Sequence, residues 1–91
     1  MPTITTSDLD RMQTQGRLVA TKDNKQAFEA AAESLAIALL EDAEHDTSNY
    51  TRLWIWFEEG ARNYTDGQWH LEGIQRRLKA RAQELYEEAK S

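Results

Sequence analysis

The chain lacks cysteine altogether and has a single proline, at position 2, in 91 residues. Without cysteine it can form neither a disulfide bond nor a thiolate zinc site, which fits a reducing compartment, and we expect a cytoplasmic protein. Because no proline follows position 2, none interrupts a helix later in the sequence. The sequence has no recognisable secretory leader and no apolar run near the roughly 18 residues of a membrane span, so we expect no membrane partner.

Groups that carry catalysis are also scarce. The chain has two histidines and no cysteine, and its four glycines are too scattered to form a phosphate-binding loop. No serine lies in a recognisable local motif with a histidine and a carboxylate. We therefore expect a protein that is not an enzyme and needs no cofactor.

One acidic cluster has the spacing of metal ligands. Glu41 and Asp42 precede His45 by four and three residues, which makes them neighbours on a helix. The spacing loosely resembles one Glu-x-x-His half-site of carboxylate di-metal bundles, but such sites need a second motif of this kind, and none follows. We interpret the cluster as a solvated helix end and expect no metal site.

The charge is negative and unevenly distributed. The net charge is −5, and residues 23–47 contain one lysine against seven carboxylates. An acidic domain repels phosphate backbones, so we expect no direct contact with nucleic acid. The same charge suits a basic protein partner.

Cap signals and hydrophobic spacing predict four helices, at about 7–20, 24–45, 49–64 and 67–90. The expected fold is all-α, a small bundle of three or four antiparallel helices in one domain, 1–91, with a short disordered N-terminus at 1–6. Gly16 within the first apolar face indicates close backbone contact or a weak helix. The expected N-terminal caps are Thr6 or Ser7, then Asp23 or Asn24, then Thr47 or Ser48. Each predicted helix has one expected core face. The faces are Leu9, Met12, Gly16 and Val19 in the first helix; Phe28, Ala32, Leu35, Leu39 and Ala43 in the second; Tyr50, Leu53, Trp54, Phe57, Ala61 and Tyr64 in the third; and Leu71, Ile74, Leu78, Ala82, Leu85 and Ala89 in the fourth.

Aromatic residues are concentrated in the third predicted helix and just beyond it. Residues 53–57 are five consecutive apolar residues, which circle the whole axis of a helix. Residues 50–57 are also rich in strand formers. As a strand they would pair only with residues 3–6 or 17–21, both short segments, so we favour the helix.

Several large apolar residues exceed what one buried face requires. Ile55 falls on the far side of the third helix, Trp56 on its flank, and Trp69 off the core face of the fourth helix. Ile37 lies opposite the core face of the second helix, so that helix is either central in the bundle or presents Ile37 to a partner. Tryptophan is enriched at interface hot spots, which makes these positions candidates for partner contact.

Charge runs in the second and fourth helices each allow two interpretations. Carboxylates at the C-terminus of the second helix oppose its macrodipole. Either Glu44 and Asp46 favour the N-terminus of the third helix, the interpretation that we prefer, or the whole cluster serves a basic partner. In the fourth helix, the basic group Arg76, Arg77, Lys79 and Arg81 has glutamates before and after it, at positions 72, 84, 87 and 88, so we favour ordinary helix salt bridges over a phosphate patch.

Together these features predict a non-enzymatic protein-binding module. The leading hypothesis is a small acidic inhibitor of a basic or nucleic-acid-binding protein, analogous in size and charge to phage anti-CRISPR and other anti-defence proteins, antitoxins and immunity proteins. The alternative is a homo-oligomeric assembly protein of a phage or mobile element, and a metal- or nucleotide-binding bundle is a third possibility. The predicted partner-binding residues are Ile55, Trp56, Trp69, Glu41, Asp42, Glu44 and Asp46.

Overall fold

The computed structural model describes residues 5–22, 24–65 and 67–91. In these ranges the chain forms four α-helices: α1 (Thr6–Lys22), α2 (Lys25–His45), α3 (Asn49–Ala61) and α4 (Gln68–Lys90). A short 3-10 turn, Arg62–Tyr64, follows α3 directly. The described residues contain no β-strand, and residues 50–57 are helical. The predicted all-α bundle is therefore confirmed, and the strand alternative is excluded.

The first helix begins with a capping box. The Thr5 hydroxyl accepts a hydrogen bond from the amide of Asp8 at 3.2 Å, and the Asp8 carboxylate accepts one from the amide of Thr5 at 3.0 Å. The helix therefore starts at Thr6, with Thr5 as its cap, and not after Thr6 or Ser7 as predicted. Of the N-terminal segment expected to be disordered, Thr5 and Thr6 belong to this helix start, and residues 1–4 lie outside the described residues.

Asn24 caps the second helix, since its side-chain oxygen accepts a hydrogen bond from the amide of Ala27 at 3.1 Å. The other predicted cap, Asp23, lies outside the described residues. Two further turns need unusual backbone angles. Asp46 ends α2 in the left-handed region at φ 55°, and Gly67 precedes α4 at φ 103°, where only glycine is unstrained.

The second helix is central in the bundle. It packs against each of the other three helices, and its buried residues are mostly alanines, which allow neighbouring helices to approach closely. Ile37 nevertheless remains 54% exposed on the opposite side of α2. The sequence analysis treated a central α2 and an exposed Ile37 as alternatives, and the structure has both.

The first and third helices meet backbone to backbone. A methyl group at Gly16 would overlap the carbonyl oxygen of Phe57, and one at Gly60 would overlap the carbonyl oxygen of Gln13. Gly16 therefore marks close contact and not a weak helix, because α1 continues through it to Lys22. The sequence analysis singled out Gly16 but not Gly60, its counterpart on α3.

The core follows the predicted faces except at three positions. Its largest fully buried side chains are those of Phe57, Met12, Leu35, Ile74 and Leu78. Tyr64 is 48% exposed, because regular α3 ends at Ala61 and the 3-10 turn changes the direction of later side chains. Ala43 and Ala89 are exposed too, since each lies in the last turns of its helix.

Candidate functional site

The acidic end of α2, Glu41–Asp46, connects directly to the start of α3. The carboxylate of Asp42 accepts hydrogen bonds from the amides of Asn49 and Tyr50, both at 2.9 Å, and from the hydroxyl of Thr47 at 2.5 Å. These amides belong to the first turn of α3, where backbone donors have no partner within the helix. Asp42 therefore acts as the cap of α3 from the preceding helix, and Ser48 makes no side-chain capping bond.

Ionisation of Asp42 is favoured by this arrangement. Partial burial opposes the charged form, but the hydrogen bonds from Thr47, Tyr50 and Asn49 outweigh it and hold the pKa of this carboxyl below its usual value of 3.8. The preferred interpretation of the acidic cluster was therefore right about the attraction to the N-terminus of α3. It was wrong about the residues, because Asp42 supplies the carboxylate and not Glu44 or Asp46.

The four predicted acidic site residues of this end form two groups, Glu41 with Asp42 and Glu44 with Asp46. Glu41 is half-buried, and its carboxylate lies 3.5 Å from the side-chain nitrogen of the buried Asn49. Glu41 and Asp42 together hold the α2–α3 turn. Glu44 and Asp46 are exposed, and the carboxylate of Glu44 lies 3.9 Å from Nε2 of His45. Only Glu44 and Asp46 of the four predicted acidic site residues are thus left for a partner.

The three predicted apolar site residues differ in exposure. Ile55 is 58% exposed on the outer face of α3, and Trp69 is 73% exposed in the first turn of α4. Trp56 is half-buried and packs against the hydrophobic core. A change at Trp56 therefore affects folding as well as any surface contact.

The predicted site residues do not form one compact surface. Ile55 is the middle residue of α3, about 9 Å along the helix axis from either end. Trp69 follows the turn at the C-terminal end of α3, about 18 Å along the same axis from its start. Along the chain, Ile55 therefore lies between the exposed Glu44 and Asp46, which precede α3, and Trp69, which follows it.

A groove between α3 and α4 was not foreseen. It encloses about 510 Å³ and is lined by Tyr50, Trp54, Glu72, Gln75, Arg76 and Lys79. The rings of Tyr50 and Trp54 meet nearly at right angles, with centroids 6.2 Å apart. The sequence signal was available: both aromatic residues lie at the edge of the α3 core face, and basic residues recur along α4.

The basic residues of α4 behave differently from one another. Arg81 donates to both carboxylate oxygens of Glu29 on α2, at 2.8 and 3.2 Å, and also pairs with Glu84 at 3.2 Å. Glu29 and then Glu84 raise the pKa of Arg81 further above its usual value. The prediction of ordinary helix salt bridges is correct for the Arg81–Glu84 pair. It is wrong for Arg76, Arg77 and Lys79, which form no ion pair within the described residues.

Among the described residues, no group of three or more histidine or carboxylate side chains converges as metal ligands would. None of the described helices is both long enough and apolar enough to cross a membrane.

Comparison of the chain with protein-family models, with curated proteins and with solved structures found no match in any of the three.

Proposed function

We propose that this protein is a non-enzymatic protein-binding module that acts in the cytoplasm as a small acidic inhibitor of a basic or nucleic-acid-binding protein. In this role it would work like phage anti-defence proteins of the anti-CRISPR type, antitoxins or immunity proteins, by covering the basic site of its target. It would need neither a cofactor nor direct contact with nucleic acid.

The observation that carries the proposal is the exposure of Ile55 on the helix that follows the acidic end of α2. An isoleucine that is 58% exposed contributes apolar contact area, and the exposed carboxylates of Glu44 and Asp46 lie just before the start of α3. Apolar contact surrounded by complementary charge is the usual composition of a protein interface. The excess of carboxylates along α2 supplies the long-range attraction for a basic target.

The experiment is a binding measurement with matched variants. The tagged protein is used to isolate partners from its source cells, and the purified basic partner is then titrated by calorimetry. We expect Ile55→Glu and the pair Glu44→Lys/Asp46→Lys each to weaken binding at least about tenfold. The first variant places a charge in the apolar contact, and the second reverses the charges that attract a basic partner. Ala80→Glu is the control, because it adds the same charge at an exposed position of α4, away from Ile55 and the acidic end.

Two results would contradict this proposal. One is a partner whose affinity is the same for wild type, Ile55→Glu and the charge-reversed pair. The other is a solution mass of twice 10.5 kDa or more that returns to the monomer value in Ile55→Glu. The second result would favour the alternative function, a homo-oligomeric assembly protein in which Ile55 contacts another copy of the chain.

A further inference from the structure

The α3–α4 groove, lined by the six residues named above, has no role in the proposed contact with a basic partner. Its volume of about 510 Å³ lies within the range of roughly 300–1,000 Å³ that is usual for binding sites. The groove exists because α1 packs closely on α3, and α2 on α4, while α3 and α4 are packed less closely in the described part of the chain. Near one end, the Gln75 side chain donates to the carboxylate of Glu58 at 3.3 Å and joins the two helices.

The apolar part of the groove comes from α3. Tyr50 and Trp54 are one helical turn apart, and both are half-buried, so their exposed ring surfaces border the same space. Trp54 also meets the fully buried Phe57 edge to face, with centroids 5.6 Å apart, which fixes the indole against the core. A groove with a fixed aromatic wall can accept an apolar side chain without rearrangement.

The polar part of the groove is rich in donors. Neither Arg76 nor Lys79 forms an ion pair within residues 5–22, 24–65 and 67–91. The indole N–H of Trp54 and the hydroxyl of Tyr50 also have no acceptor among those residues. Glu72 supplies the one lining carboxylate. Donors of this kind are matched by carboxylates of a ligand.

We propose that the α3–α4 groove is a docking site for an acidic amphipathic segment of a partner protein. An apolar side chain of that segment lies against Tyr50 and Trp54, and its carboxylates pair with Arg76 and Lys79. An amphipathic helix in a groove between two helices is an established mode of peptide recognition. A nucleic acid fits less well, because two cations neutralise few phosphates and a phosphate backbone offers no apolar side chain for the wall formed by Tyr50 and Trp54.

The test uses three labelled probes and fluorescence anisotropy. The first is a peptide of about four helical turns with leucines on one face and glutamates on its flanks. The second peptide has uncharged glutamine in place of every glutamate, and the third probe is an oligothymidylate. We expect the glutamate peptide to bind, and the other two to bind at least about tenfold more weakly, because only its charges complement Arg76 and Lys79.

Variants on α4 locate the binding. The pair Arg76→Glu/Lys79→Glu should weaken binding of the glutamate peptide at least about tenfold, because both charges are reversed. Arg77→Glu is the control: it makes the same change next to Arg76, but Arg77 lines a different groove with Val19 and Ile74. Ile55→Glu should leave peptide binding unchanged, so failure of this site and failure of the proposed function give different results. In NMR spectra the indole signal of Trp54 should shift, while that of Trp69 should not.

Each of the following results would overturn the inference. They are equal binding of the glutamine peptide, tighter binding of the oligothymidylate, no binding of the glutamate peptide, and equal losses in Arg77→Glu and in the double variant. If the protein self-associates and the double variant abolishes that self-association, the occupant of the groove is instead a second copy of this chain. Circular dichroism of every variant should show intact folding, because all the substituted positions are exposed.

Discussion

Gly16 of α1 lies directly against the backbone of Phe57 of α3, so that a methyl group at Gly16 would overlap the Phe57 carbonyl oxygen. Three residues further along α3, Gly60 has the same relationship with the carbonyl oxygen of Gln13. Backbone atoms cannot move aside as the end of a flexible side chain can, so the two helices would have to separate to accept a larger residue.

Alanine at either glycine should therefore destabilise the fold. We expect Gly16→Ala and Gly60→Ala each to lower the free energy of unfolding by about 2–3 kcal/mol, because overpacking outweighs the gain in helix propensity. The measurement is urea unfolding followed by far-UV circular dichroism. Gly73→Ala is the control, since a methyl group at Gly73 meets nothing within 4 Å and should raise stability by about 1 kcal/mol. Equal effects at all three positions would contradict the close contact of α1 and α3.

Asp42 should make folding stability depend on pH in the acid range. Its pKa is lowered in the folded state, so its contribution is complete above the unfolded value near 3.8 and is lost as pH falls through the lower folded value. Asp42→Asn should destabilise the protein by about 1 kcal/mol at neutral pH, because an amide keeps only one of the two acceptor oxygens and loses the negative charge at the N-terminus of α3. Thermal unfolding between about pH 5 and pH 2 should then vary less for Asp42→Asn than for wild type. Parallel pH profiles would show that Asp42 does not supply the dependence.

Asp46 is a site where glycine should improve the protein. Its φ of 55° lies in the left-handed region, which costs a non-glycine residue free energy. We expect Asp46→Gly to raise the free energy of unfolding by about 0.5–1 kcal/mol, and Asp46→Ala to lower it by a similar amount, because alanine keeps the strain and loses the tolerance of aspartate for this region. Both are measured by urea unfolding at neutral pH. A stabilising alanine substitution would contradict the assigned backbone angle.

Arg81 should contribute stability that salt weakens. Its guanidinium joins α4 to Glu29 of α2 through two hydrogen bonds, a geometry that glutamine cannot reproduce. Arg81→Gln should lower the melting temperature at low ionic strength, and the difference from wild type should shrink in high salt. Arg76→Gln, which removes a cation without an ion pair in the described chain, should have little effect under either condition. A salt-independent loss in Arg81→Gln would point to packing instead of charge.

The helices could be predicted closely because their signals are local. Apolar spacing in α4 predicted the buried Leu71, Ile74 and Leu78, and these contacts need only the period of a single helix. The end of α3 was harder to predict, since no proline or glycine within Arg62–Tyr64 marks the change to a 3-10 turn there. Tyr64 was consequently assigned to the core and is exposed.

The site was harder to predict because it depends on pairs of elements. The carboxylate of Asp42 reaches amides seven and eight residues later, and only the geometry of the α2–α3 turn selects it over Glu44 or Asp46. Likewise, the ion pair of Arg81 with Glu29 joins residues far apart in sequence, and it leaves Arg76 and Lys79 to line a groove. Composition revealed which charges were present but not which of them were already paired.

The contact at Gly16 and Gly60 also has a use in searching for distant relatives. A protein that retains this helix pair needs a residue without a side chain at both positions, whatever else has changed around them. A carboxylate at the position of Asp42, shortly before the third helix, adds a third requirement of different chemical origin. These three positions are therefore the first to compare in a chain that is too divergent for overall comparison.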